Sequence, residues 1–224
     1  MYAFAHRGGR GHGRDNEIAT FVEALRRGAT GLETDAWVTS DGQVVLDHDG
    51  VHRGVAGRRT PIAQVGRSDL PAHVPTLDDL YAACGTDFEL AIDIKNSDTA
   101  DAVIRVAEAH NAAGRLWLFA HTGVGFDHLG DAHAAKTFHA RDLIGPGHLA
   151  RLQAAKDAGI TAINARWMWW RKPLVEQVHG LGLLAFGYDA QRSSSIRRCV
   201  GVGLDGMFSD HVDRMHAELA RTAN

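Results

Sequence analysis

Gly31-Leu32-Glu33-Thr34-Asp35-Ala36-Trp37-Val38-Thr39-Ser40-Asp41-Gly42-Gln43-Val44-Val45-Leu46-Asp47-His48-Asp49 is the stretch from which the rest of this sequence is read. On a strand, side chains alternate faces, so Glu33 and Asp35 share one face, about 7 Å apart. Two acids so placed repel each other unless a cation lies between them. Asp41-Gly42 reads as a tight turn, and the apolar run Val44-Val45-Leu46 as a returning strand that delivers His48 to the same end. Two carboxylates and an imidazole thus converge, a constellation suited to metal-assisted acid/base chemistry.

Upstream, the short apolar run Tyr2–Ala5 ends in His6-Arg7-Gly8-Gly9, which predicts a buried first strand delivering a His-Arg pair to a glycine-rich loop. The backbone N–H groups and guanidinium groups of that loop are suited to an anion. Asp15 or Asn16 is expected as the N-cap of a helix carrying Ile18, Phe21, Val22, Ala24 and Leu25, with Gly28 and Gly31 ending it. Downstream, residues 50–76 turn to Gly, Arg, Pro and His without clear periodicity and read as an excursion over one rim. Thr76 is the expected N-cap of the next helix, with Asp79 at its third position.

A third strand, Phe88–Lys95, places Asp93 and Lys95 on one face near its C-terminal end. Further strands are expected at Arg115–His121, Lys136–Ala140, Ile160–Asn164, Leu183–Asp189 and Gly206–Asp210, separated by helices, with Trp167-Met168-Trp169-Trp170 following the sixth. Eight strands alternating with helices, most closing on a polar residue, predict an α/β fold, a (β/α)8 TIM barrel with a short insertion after the second strand. The catalytic face of such a barrel lies at the C-terminal ends of its strands, which brings His6, Glu33, Asp35, His48, Asp93 and Lys95 to one mouth. His121 and His139 are lesser candidates for that mouth, whereas Asp189 and Asp210 read as helix caps, with orientation of a neighbouring side chain as the other reading. Trp167 is assigned to substrate binding, as an apolar wall at the mouth, with rim packing as the other reading of this aromatic run.

The bulk properties narrow the class. The 224 residues suffice for one large core, expected as a single domain over 1–224. A formal net charge of −3 leaves no footprint for a polyanion, so no nucleic-acid partner is expected. Cys84 and Cys199 share no metal-ligand spacing and read as buried reduced thiols. No apolar stretch approaches about 20 residues, so no stable membrane insertion is expected, and the reading places the protein in the cytoplasm.

Glu33, Asp35 and Asp93 form an all-oxygen set suited to Mg²⁺ or Ca²⁺ rather than Zn²⁺. A hard cation beside Arg7 and Lys95 makes a pocket for phosphate oxygens, and His6 and His48 supply one acid and one base. The residues by themselves therefore predict a metal-dependent phosphodiesterase.

His6-Arg7-Gly8, Asp15-Asn16-Glu17, Glu33-Thr34-Asp35, Thr39-Ser40-Asp41-Gly42, His48-Asp49, Pro75-Thr76-Leu77, Asp93-Ile94-Lys95 and the closing Gly203-Leu204-Asp205-Gly206-Met207-Phe208-Ser209-Asp210 together resemble the glycerophosphodiester phosphodiesterases. The resemblance is weakest between about Ala113 and Leu181. It implies a (β/α)8 barrel in which Glu33, Asp35 and Asp93 hold the divalent cation, His6 and His48 are the catalytic acid/base pair, and Arg7 and Lys95 contact the phosphate. It also implies a small-molecule glycerophosphodiester substrate, cleaved to an alcohol and glycerol 3-phosphate. Two positions depart from the family pattern. Arg14-Asp15-Asn16-Glu17 stands where Pro-Glu-Asn-Thr is usual, and Asp93 where Glu is usual. Asp93-Ile94-Lys95 resembles instead the related sphingomyelinase D-like phospholipases, which keeps a lysolipid substrate as the alternative. A barrel that binds phosphate esters without turnover is the reading of another class.

Overall fold

Where apolar strands and amphipathic helices alternate, the strands can bury both faces by closing a ring inside the helices. The computed structural model describes residues 1–54, 57–95, 97–120 and 129–222. In chain order the elements are β1 (Tyr2–Ala5), α1 (Ile18–Arg26), β2 (Gly31–Val38), β3 (Val44–Leu46), β4 (Val51–Arg53), β5 (Arg59–Pro61), α2 (Leu77–Cys84), β6 (Glu89–Ile94) and α3 (Ser97–Ala109). They continue with β7 (Leu116–Ala120), β8 (His133–Thr137), α4 (Ala140–Ile144), α5 (His148–Asp157), β9 (Ala162–Arg166), α6 (Lys172–Gly180), β10 (Leu184–Tyr188), α7 (Ser193–Val202), β11 (Gly206–Ser209) and α8 (Val212–Thr222).

Eight of these strands pair in parallel in the order β1, β2, β6, β7, β8, β9, β10, β11, and β11 returns to β1 through Tyr2 against Gly206 and Phe4 against Phe208. This is the expected (β/α)8 barrel. β3 folds back antiparallel on β2, with Ala36 opposite Leu46, so that His48 leaves β3 at the end where Glu33 and Asp35 leave the barrel. The excursion over residues 50–76 is a two-stranded β4–β5 hairpin and 3₁₀ turns, packed through Ile62, Val65, Leu70 and Val74 on Val45 and Trp37.

The barrel interior is aromatic. Phe4, Trp117, Phe119, Phe186 and Phe208 fill it together with Ala91, Ala135 and Ala162. Phe4 stacks on Phe208 at 4.7 Å between ring centroids, and the Trp117 indole N–H donates to the Glu89 carboxylate at 2.7 Å. Large rings from some strands are accommodated by alanine on others, the interdigitation that close packing requires. Truncating one such ring to alanine costs roughly 3–5 kcal/mol.

Local signals held at α2. The Thr76 hydroxyl accepts from the Asp79 N–H at 3.0 Å, and the Asp79 carboxylate accepts from the Thr76 N–H at 2.8 Å, a capping box with Asp in place of Glu. At α1 the expectation fails. Neither Asp15 nor Asn16 caps the helix; its N-cap is Glu17, without a side-chain bond, because Asn16 is buried in the left-handed region (φ 56°). The Asn16 amide oxygen instead accepts from the Thr34 hydroxyl at 2.9 Å. Two strands are displaced from their expected spans. β8 begins at His133, whose ring lies 4.4 Å from Trp117, and β9 begins at Ala162, because Thr161 spends its hydroxyl on the Ala134 carbonyl. The short α4, which the sequence did not announce, follows His139. Cys84 and Cys199 are both free thiols; Cys199 is buried and Cys84 half-buried. Among the described residues no helix is long and apolar enough to cross a membrane.

Candidate active site

The site grows from the ends of the strands. β1 stops at Ala5, and His6-Arg7-Gly8 forms a tight turn in which Arg7 takes φ 48° and Gly8 and Gly9 take φ 79° and 81°. A left-handed arginine costs about 1 kcal/mol or more, so the surroundings must impose it. What the turn achieves is an aim: the Arg7 backbone N–H donates to the Glu33 carboxylate at 2.8 Å. Gly8 permits this because a side chain there would press on the Phe21 ring, about 3.0 Å from a Cβ.

His6 stands between two acids. Its Nδ1 lies 2.6 Å from Asp210 Oδ1 and its Nε2 3.9 Å from Glu33 Oε2. An ionised carboxylate only accepts, so Asp210 fixes the proton on Nδ1 and turns Nε2 toward Glu33. Burial disfavours the imidazolium, but the charges of Glu33 and Asp210 outweigh it, and the His6 pKa is raised. Asp210 responds oppositely: burial works against its charge, yet the bond to His6 dominates and holds its carboxyl below the usual range. The Asp210 backbone N–H donates to Gln191 Oε1 at 2.8 Å, which pins the end of β11.

The three acids expected to hold a cation sit side by side. Asp35 and Asp93 are directly opposite in the β2–β6 register. Lys95 Nζ bridges them, 3.1 Å from Asp35 Oδ1 and 2.5 Å from Asp93 Oδ2. Burial, opposed by His6 and reinforced by Asp35, pushes the Glu33 pKa up to about 7. Burial also raises Asp35, against the pull of Lys95. Asp35 Oδ2 is buried without a hydrogen-bond partner among the described residues, 3.7 Å from Arg7 Nε. Crowded, desolvated carboxylates with an unsatisfied oxygen are what a divalent cation relieves, and oxygen donors fit a hard one. Glu33, Asp35 and Asp93 are therefore the residues able to hold such an ion.

Two hollows flank these acids. The first, about 240 Å³, is lined by His6, Glu33 and Asp93 together with Phe119, Tyr188 and Phe208, with Thr137, His139, Asn164, Asp189 and Gln191 completing it. The second, about 270 Å³, holds Arg7, Asp15, Asn16, Asp47, His48 and His73. His6 and His48 thus face different hollows. His48 is 46% exposed, and its Nδ1 lies 3.0 Å from Asp49 Oδ1. The Arg7 guanidinium is turned to Asp15, 3.1 Å away, and toward Asp35, while Lys95 is turned to its two carboxylates. Among the described residues Trp167 does not line either hollow; it packs, partly buried, with the cluster of Trp170, Ala190 and Leu204. His139 reaches the hollow that holds His6, whereas His121 lies outside the described residues.

Sequence reasoning missed Asp210 as the partner of His6, having assigned it to helix capping, and it missed the apolar wall. The available signal was alternation: Gly206, Phe208 and Asp210 share a face, so the residue two positions after a barrel-filling Phe points into the mouth.

Comparison with known proteins agrees with this geometry. Human lysophospholipase D GDPD1 is 35% identical over 74 residues, which cover 33% of this chain and 24% of that protein. The glycerophosphodiester phosphodiesterase of Caldanaerobacter subterraneus subsp. tengcongensis is 24% identical over 92% of each chain. Among solved structures, a phosphodiesterase of Oleispira antarctica in complex with its product sn-glycerol-3-phosphate superposes with a TM-score of 0.79 at 16% identity, over 98% of this chain and 97% of that one, which establishes the shared fold. The model of the Glycerophosphoryl diester phosphodiesterase family matches residues 6–120, the span from His6 to the end of β7 that carries every acid of the site except Asp210 and Asp189 on its C-terminal side. By that match the chain belongs to the glycerophosphoryl diester phosphodiesterase family.

Proposed function

We propose that this protein hydrolyses glycerophosphodiesters to an alcohol and glycerol 3-phosphate, with a divalent cation held by Glu33, Asp35 and Asp93 and proton transfers carried by His6 and His48. The observation that carries the reading is the imidazole of His6, fixed through Nδ1 by Asp210 and set beside the buried carboxylates at the mouth of a barrel. The cation, Mg²⁺ or Ca²⁺ by its donors, supplies charge for the phosphoryl oxygens. Arg7 offers its guanidinium to the same oxygens from the other hollow. Lys95 acts first on the acids: it neutralises part of the charge of Asp35 and Asp93 and keeps them in register.

The diester lies across the two hollows, which explains why the histidines face it from different sides. One histidine takes a proton from the attacking water as the new P–O bond forms; the other gives a proton to the leaving alkoxide as the old P–O bond breaks. Phe119, Tyr188 and Phe208 supply the apolar surface that the sequence reading sought in Trp167. This wall, together with the local likeness to a lysophospholipase D, favours a second substrate class, lysophospholipids.

Metal-stripped protein incubated with glycerophosphocholine, glycerophosphoethanolamine and a lysophospholipid, with Mg²⁺ or Ca²⁺ added back, separates the two. Metal-dependent glycerol 3-phosphate from the deacylated diesters is the expected result. Turnover of the lysophospholipid alone establishes the second reading, and no metal dependence with any substrate removes the cation from the first.

A further inference from the structure

Outside the mouth, two imidazoles and a carboxylate meet on the surface. His12 belongs to the glycine-rich loop after β1; His211 and Asp213 stand at the start of α8. One ligand atom from each lies within 4.8 Å of the others. His12 Nε2 and Asp213 Oδ1 are 3.0 Å apart, and the two rings meet edge to face at 6.1 Å. The loop is pressed onto His211. The Gly11 N–H donates to the Asp210 carbonyl at 3.0 Å, and a Cβ on Gly11 would fall 2.6 Å from His211 Nδ1. Only glycine allows that approach, so the loop carries His12 over the first turn of α8 with His211 beneath it.

We propose that His12, His211 and Asp213 form a binding site for a transition-metal ion of the Zn²⁺ class, separate from the hard-cation site of Glu33, Asp35 and Asp93. Two nitrogens and one oxygen select a borderline ion over Mg²⁺ or Ca²⁺. Bonds of about 2.0–2.1 Å to tetrahedral Zn²⁺ require donors about 3.4 Å apart. The His12–Asp213 pair, at 3.0 Å, stands close to that spacing, and the His211 donor lies within 4.8 Å of both. Three protein ligands leave the fourth position to water on the open side, where Asp213 is half exposed.

The location gives the site a task. β1 and β11 are the strands whose pairing closes the barrel, and the loop after β1 and the helix after β11 lie over that seam. An ion here ties residue 12 to residues 211 and 213. An ion that binds this folded arrangement and not the open chain stabilises the closed form by mass action.

The test is Zn²⁺ titration of the full chain by calorimetry, with Co²⁺ absorption as a second probe, both in excess Mg²⁺. One equivalent of Zn²⁺ is expected, retained in Glu33→Gln, together with a rise in Tm. His12→Ala and Asp213→Asn are each expected to weaken binding by about 10-fold or more and to remove that rise, with circular dichroism unchanged. Asp213 is exposed, so its variant serves if His12→Ala does not fold. Zn²⁺ binding that survives both substitutions, that disappears in Glu33→Gln, or that is absent at 100-fold excess of ion over protein overturns the proposal.

Discussion

His6 and His48 are the same residue type at the same rim, yet the fold treats them differently. His6 is tied by Asp210 from the end of the neighbouring strand β11, half-buried beside Glu33, and its proton is placed on a stated nitrogen. His48 is half exposed and, among the described residues, is paired with its neighbour in sequence, Asp49. A long-range partner fixes both position and charge, whereas an adjacent one on the same loop moves with it. Under the proposed mechanism, this difference predicts one histidine prepared before substrate arrives and another completed by it.

The largest expected effect breaks the comparison at its centre. His6→Ala and His48→Ala should each lower kcat by roughly 10²-fold or more, with metal binding largely intact. Equal retention of activity in either one would remove that residue from the proton-transfer pair. If both losses appear but only the His48 loss is accompanied by a raised KM, the exposed histidine is the one that substrate orders.

Glu33→Gln comes next, because it probes the charge that surrounds His6. The folded pKa of Glu33, about 7, lies above its ordinary value of 4.5, so the native state holds its proton over a range where the unfolded chain has released it. Stability of the metal-free protein therefore falls as pH rises from about 4.5 to 7. The Gln variant lacks this loss, and at pH 8 its Tm should exceed that of the parent by roughly 5 °C, with no difference near pH 4. Added Mg²⁺ or Ca²⁺ should stabilise the parent and not the variant. A variant less stable than the metal-free parent at pH 8 would show that the Glu33 carboxylate is held charged by something other than a cation.

The smallest pair of effects sharpens the contrast between the two anchors. Asp210→Asn removes a carboxylate that raises the His6 pKa, so the limb of the pH–rate profile belonging to His6 should move toward acid, with kcat down about 10-fold. Asp49→Asn should change kcat less than about 3-fold and leave both limbs in place. Matching effects from the two substitutions would mean that the neighbour of His48 positions it as firmly as Asp210 positions His6.

Much of this was legible in the sequence, and the reasons differ by residue. Glu33, Asp35 and Asp93 were readable because strand alternation is local: two residues apart means one face, and β6 needed only its own pattern to place Asp93. The Thr76–Asp79 capping box was readable for the same reason. β8 was not, since His133-Ala134-Ala135-Lys136-Thr137 is poor in large apolar side chains and takes its place from the barrel around it. The bond between His6 and Asp210 spans 204 residues, and no local pattern signals it. Asn16 deceived by offering a common capping residue that tertiary structure used elsewhere, on Thr34. Trp167 deceived by hydrophobicity, which says that a ring is covered without saying on which side.

The ring of strands closes between β1 and β11, and the His6–Asp210 bond, between residues 204 positions apart, straddles that seam. A contact of such separation is expected late in folding, because the entropy of closing so long a loop must be met before the contact rewards it. The orientation of the His6 imidazole is thus a gauge of whether the barrel is shut, since any opening of the seam sets it free.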